Sequence, residues 1–165
     1  MRLGRDRKAF KNTSGLDSKI VRRILNFVMP KNVDRKILTV WVKKTQRGVA
    51  GLYYECPFHP HIVARVGMKF PIRQHTYQYG QLAGRRYWLA DREEAAVYVL
   101  AHECRHFFQQ HGKYKGLKFP LGLAPHSRGR FSEIDTESFA IHKLREWRRA
   151  KEKPPIGRGC PQGNL

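Results

Sequence analysis

The chain reads as an α+β domain in which helices pack against a small, mostly antiparallel sheet of three to four strands. Three observations predict this. Apolar residues recur at helical spacing in three separated stretches; runs of β-branched and aromatic residues lie between the first stretch and the second; and clusters of glycine, proline and polar residues divide them. With 165 residues, 41% of them hydrophobic, the chain can bury one real core and stands well apart from disordered compositions.

Taken in order, residues 1–13 (MRLGRDRKAFKNT) read as a flexible basic arm, and residues 14–150 as the domain. Asp17 or Ser18 can cap a first helix whose Ile20, Val21, Ile24, Leu25 and Val28 share one face, with Pro30 beyond its end. KILTVWVKK (36–44) is rich in strand formers. Gln46-Arg47-Gly48 then reads as a turn, and Val49–Glu55 as the hairpin partner of that strand. CPFHPH carries two prolines and cannot be regular, whereas HIVARVG (61–67) reads as a third strand. Residues 68–90 fit no single pattern.

A second helix opens at Asp91, because Asp91 and Glu94 have the spacing of a capping box, and it should run to about Gln110, with Gly112 as its stop. Residues 112–131 read as a loop. Ser132, with Asp135 three residues on, opens a final helix that extends to about Arg149. Pro154 and Pro155 mark residues 151–165 as a disordered tail.

Composition restricts the partners. The chain holds 33 Lys and Arg against 13 Asp and Glu, a formal charge of +20, which attracts polyanions whatever their sequence. The basic residues are spread along the whole chain and match no recognised nucleic-acid motif, so the expectation is binding of nucleic acid through a general basic surface. No apolar run reaches the roughly 18 to 20 residues that span a bilayer, and none follows the basic N-terminus as a secretory signal would. Cys56, Cys104 and Cys160 are odd in number and lack CxxC spacing, which suits reduced thiols and excludes a zinc ribbon. A cytoplasmic protein with no membrane partner is expected.

The chemistry concentrates in the second helix. His102-Glu103-Cys104-Arg105-His106 matches H-E-x-x-H, whose histidines, four residues apart, share one helix face and can ligate one metal ion. Glu103 is rotated about 100° from His102, a placement that suits a general base beside the metal rather than a ligand. This helix is apolar nearly all round, and burying two imidazoles and a carboxylate in it is costly without strong partners. Cys104 reads as core packing.

A catalytic zinc site takes a third protein ligand. His111 is nearest in sequence, but in a continuous helix it points about 180° away from His102, and the longer H-E-x-x-H-x-x-G-x-x-H motif is not present. The final helix offers Glu133 and Glu137, which share a face with Ala140, Leu144 and Trp147, while Asp135 points the other way. A carboxylate that faces a core needs a cation, and either could serve as the ligand.

The pairing of HECRH with Glu133-x-Asp135-Thr136-Glu137-x-Phe139-Ala140 resembles the ImmA/IrrE group of gluzincin-type zinc metallopeptidases, in which H-E-x-x-H is followed by a helix of the form E-x-E-A-N-x-F-A. The resemblance covers about residues 85–145. It implies a zincin-like fold, one Zn²⁺, and Glu133 as the third ligand, with Glu137 behind it or as its substitute. Thr136 and Glu137 stand where the family has Ala and Asn. It also implies a specific intracellular protein as substrate, one that associates with DNA. SprT-like proteases are the second resemblance: His111-Gly112 echoes the H-G context of their third histidine, though it follows His106 too closely.

The expected activity is therefore metal-assisted hydrolysis of a peptide bond in a protein or peptide substrate. Glu103 would be the base, with His126, Tyr114 and His142 as candidate donors to the transition state. A second metal site at Cys56, His59 and His61 lacks a fourth partner at a recognisable spacing. Aromatic residues between Tyr77 and Trp88, among Arg73, Arg85 and Arg86, could stack bases but are more often core or groove lining. The alternative function is a basic nucleic-acid-binding protein whose zinc is structural and not catalytic.

Overall fold

The computed structural model describes residues 10–31, 33–56, 59–75, 86–111 and 130–152. Its elements are β1 (Phe10–Thr13), α1 (Ser18–Val28), β2 (Thr39–Lys44), β3 (Val49–Tyr54), β4 (His61–Val66), β5 (Ile72–His75), β6 (Arg86–Leu89), α2 (Arg92–His111) and α3 (Arg130–Glu152), with one 3₁₀ turn at Arg35–Ile37. The class is α+β, as the patterning implies. Among the described residues no helix is long and apolar enough to cross a membrane.

Helix starts follow local chemistry. The Asp17 carboxylate accepts from the Lys19 backbone N–H at 2.6 Å and starts α1, which buries Val21, Ile24, Leu25 and Val28. At α2, Asp91 accepts from the Glu94 N–H at 2.8 Å, and Glu94 reaches back to the Ala90 N–H at 2.8 Å. Glu94 is then gripped by Arg148 of α3 through Nε at 2.8 Å and a terminal nitrogen at 2.6 Å. The start of α2 is thereby tied to the far half of α3.

The sheet differs from expectation. It is mixed, not mostly antiparallel: the order is β1-β2-β4-β3, and β1–β2 and β2–β4 are parallel while β3–β4 is antiparallel. The hairpin expected between β2 and β3 does not form, because β4 lies between them. Burial explains the order. Val40 and Val42 of β2 and Ile62, Ala64 and Val66 of β4 are nearly or fully buried, so these two strands take the middle. The short β2–β3 connection crosses the end of β4, where Gly48 (φ +65°) lies over Gly67. A Cβ on Gly67 would lie 2.3 Å from the Gly48 carbonyl oxygen, so the crossing depends on a residue without a side chain.

At the N-terminus, the end of the expected arm is a strand: Phe10–Thr13 pairs with Val40–Lys43. Pairing is a long-range property that a short basic stretch does not advertise. Residues 1–9 and 153–165, which include most of the arm and of the tail, lie outside the described residues. The final helix begins two residues earlier and ends three later than its sequence signals suggested. Between β4 and α2, β5 and β6 form a separate antiparallel pair.

Helix α2 is central: it contacts α1, α3, β3, β4 and β6. Ala95, Ala96, Val97, Leu100, Ala101, Cys104 and Phe107 are fully buried along it. Cys104 is a core thiol, and burial pushes its pKa well above the ordinary value.

Candidate metal centre

The one-turn spacing of His102 and His106 on α2 sets both imidazoles toward the first turn of α3, where Glu133 sits. Glu133 Oε2 is 3.1 Å from His102 Nε2, and Glu133 Oε1 is 3.2 Å from His106 Nε2. One ligand atom from each residue lies within 4.8 Å of the others, an arrangement that could hold a metal ion. Glu133 Oε2 is buried, yet its approach to the imidazole lacks hydrogen-bond alignment. Two imidazole nitrogens and a carboxylate brought together at this spacing are a donor set that a shared cation could join.

Each imidazole is supported from behind, in different ways. Glu137 Oε2 lies 3.7 Å from His102 Nδ1, and Glu137 is fixed by hydroxyl donors, Tyr87 at 3.0 Å and Tyr98 at 2.6 Å. His106 Nδ1 faces Gln109 Oε1 at 3.2 Å. The Gln109 amide donates to Asp135 at 2.9 Å, and Arg105 holds the same carboxylate through two hydrogen bonds of 2.6 and 2.9 Å. Asp135 therefore does not point away from the core: it is 2% exposed. Helical phase read on α3 alone could not reveal the buried Arg105 on α2 that it meets.

Glu103 occupies a slot of its own. It is 5% exposed, and a Cβ on Gly51 of β3 would lie 2.1 Å from its Oε1, so only glycine leaves the carboxylate room. Burial raises the Glu103 pKa, and the neighbouring imidazoles and the Tyr53 backbone N–H pull in the other direction. Burial also opposes the Glu133 charge, but the facing imidazoles of His102 and His106 win and hold its carboxyl well below the usual range. For His102 burial acts to lower the pKa, and the carboxylates of Glu133, Glu137 and Glu103 outweigh it, lifting it from 6.5 to about 10.

The remaining candidates lie elsewhere. His111 is the last residue of α2, 5.2 Å from the Phe107 ring, and burial lowers its pKa; it is not among the converging ligand atoms. His142 does not serve as a donor to the site, since its side chain is 62% exposed and faces Glu146 at 3.3 Å. It sits more than two turns along α3 from Glu133. Tyr114 and His126 lie outside the described residues. So do Tyr77 and Arg85, whereas Tyr87 is engaged by Glu137. His61 stacks on Tyr54 at 4.2 Å, and among the described residues no second group of metal-ligating side chains converges.

Sequence reasoning missed the Tyr87–Tyr98 clamp, the Gln109–Asp135–Arg105 chain and the Gly51 slot. Arg105, a charge among the largely buried residues of α2, was the one sign in the sequence that a counter-charge was needed there. Compared with protein-family models, curated proteins and solved structures, the chain matches none.

Proposed function

We propose that the protein is a zinc-dependent peptidase. The observation that carries this reading is the convergence of His102, His106 and Glu133 beside a buried carboxylate, Glu103, that is none of the three. Each of the three residues offers one ligand atom, and these atoms lie within 4.8 Å of one another. Two imidazoles and one carboxylate are also the donor set of a zinc site that keeps a fourth position open.

Zinc held there would polarise a carbonyl group and lower the pKa of water toward about 7. Glu103 accepts a proton from the attacking water as its oxygen bonds to the amide carbon. It then delivers that proton to the nitrogen as the C–N bond breaks. Burial, by raising the Glu103 pKa, makes it a better acceptor than a solvated glutamate. Glu137 and Gln109 lie on the Nδ1 side of His102 and His106, where they would help keep each Nε2 directed toward a bound ion. Beside Glu103 runs β3, which among the described residues is an edge strand of its sheet, and such an edge suits an extended peptide laid alongside it. A protein or peptide substrate follows from that edge.

Metal analysis and one substitution test the reading. Purified protein should carry about one zinc per chain. Glu103→Gln should keep that zinc and lose cleavage of a denatured protein such as casein by about 10²- to 10⁴-fold. A Glu103→Gln variant that cleaves as fast as the parent would remove the general base from the mechanism. Protein without bound zinc would overturn the metal reading altogether, whereas a zinc protein that cleaves nothing but still binds nucleic acid would favour a structural site.

A further inference from the structure

The four-stranded sheet has two faces, and only one is accounted for by the core. Strand alternation sends Val40, Val42, Ile62, Ala64 and Val66 toward the helices. It sends Lys11, Trp41, Lys43, His61, Val63, Arg65, Leu52 and Tyr54 to the opposite face. The register arranges these in rows across the sheet: Lys11 beside Trp41 beside Val63 beside Leu52, then Lys43 beside Arg65, and His61 beside Tyr54. Leu52 and Tyr54 are 41% and 42% exposed, and among the described residues no helix packs on this face.

Its chemistry is distinctive. Tyr54 and His61 stack with ring centroids 4.2 Å apart and planes 17° apart. The Trp41 indole N–H donates to Thr13 at 3.0 Å, which lays the ring along the sheet. The ammonium groups of Lys11 and Lys43 lie 4.2 and 3.4 Å from its ring centroid. Trp41 and His61 are diagonal neighbours on adjacent strands, which sets the two aromatic stations about 8 Å apart. Among the described residues no carboxylate belongs to the face. Charge along the chain agrees: between residues 35 and 90 there are ten Lys and Arg and a single acid, Glu55, while nine of the thirteen acids fall between residues 91 and 152.

We propose that this outer sheet face binds single-stranded nucleic acid, with a base stacked on the Tyr54–His61 pair and phosphates paired with Lys11 and Lys43, the lysines gathered over Trp41, and with Arg65. The inference is independent of the peptidase reading and rests on the opposite side of the sheet from Glu103. Rings interleaved with cations fit a strand whose bases are unpaired and whose backbone is anionic, since every base offers a π-face and every linkage a charge. Duplex DNA hides its bases, and a broad pleated surface does not enter its grooves. An anionic membrane would call for apolar side chains that project to insert, whereas the rings here are held against the sheet.

Fluorescence anisotropy with a labelled oligo-dT of about 12 nucleotides tests the proposal at low salt. The protein should bind, and Lys43→Glu/Arg65→Glu should weaken binding at least about tenfold more than the charge-matched Arg145→Glu/Arg149→Glu on α3. Tyr54→Ala, at an exposed position that the fold does not need, should weaken binding about fivefold or more with little change in salt dependence. Should the Lys43/Arg65 pair fail to fold, Tyr54→Ala and Lys11→Glu decide the matter. Four results would overturn the proposal: no binding at low salt; equal losses in the α3 control; a Tyr54→Ala variant that binds like the parent; or tighter binding to duplex DNA, polyglutamate or phosphatidylserine vesicles than to oligo-dT.

Discussion

The two sides of the sheet handle charge in opposite ways. On the helix side, Glu94, Glu103, Arg105, Asp135 and Glu137 are all less than 10% exposed, and specific partners constrain them: Arg148 for Glu94, Gln109 and Arg105 for Asp135, two tyrosines for Glu137. On the outer face, Lys11 and Arg65 are exposed, and Lys11 lies over the Trp41 ring. A buried charge lacks water and depends on its partner, so it dictates geometry. An exposed charge keeps its hydration, so it matters to whatever binds and little to the fold.

The sharpest way to break this contrast is to strand a buried charge. Arg105→Met should leave Asp135 uncompensated between α2 and α3 and cost about 3–5 kcal/mol in urea unfolding. The double change Arg105→Met/Asp135→Leu should recover most of that loss, since an apolar pair of similar volume replaces the ion pair. If the single and double variants are equally unstable, the carboxylate is not what the arginine serves.

Next in size are the supports behind the two imidazoles. Glu137→Gln and Gln109→Ala should each weaken zinc affinity about 10- to 100-fold by competition with a chelating dye. Glu137→Gln should have the larger effect, because it replaces a charged support and Gln109 is already neutral. Equal affinities for parent and both variants would show that neither side chain orients a ligand.

A smaller effect separates the metal-free protein from the loaded one. With the His102 pKa lifted from 6.5 to about 10, its contribution to folding is full below 6.5 and is lost as pH rises through 10. The Glu133 carboxyl is depressed, so its contribution is present above 4.5 and is lost as pH falls below that value. In chelator, the melting temperature should therefore fall as pH climbs from 6.5 toward 10. Zinc should reverse the alkaline loss, because ligation requires the neutral imidazole and releases the proton. A chelated protein whose melting temperature stays flat across that range would contradict the His102 shift. The smallest effect belongs to the outer face: Arg65→Glu should change folding stability by no more than about 0.5 kcal/mol.

Much of the site was legible because it is written in short-range spacing. The four-residue step from His102 to His106, the Asp91–Glu94 cap and the apolar face shared by Glu133, Ala140 and Leu144 all follow from helix geometry alone. Glu133 and Glu137 came out as a pair of candidates; their division into a residue facing both imidazole Nε2 atoms and a residue held by Tyr87 and Tyr98 needed the neighbouring elements.

What the sequence by itself determined is the three helices, the strands β2, β3 and β4, and a His102–His106 pair on one face of α2 that could hold a metal ion. The tertiary structure decided which strand lies beside which. It put β4 between β2 and β3, added Phe10–Thr13 to the sheet, aimed Asp135 at Arg105, and set Gly51 against Glu103. The physical reason is range. Periodicity and capping depend on residues within one or two turns, whereas strand order and buried ion pairs depend on partners dozens of residues away, chosen by which arrangement buries the most apolar surface and leaves the fewest charges unpaired.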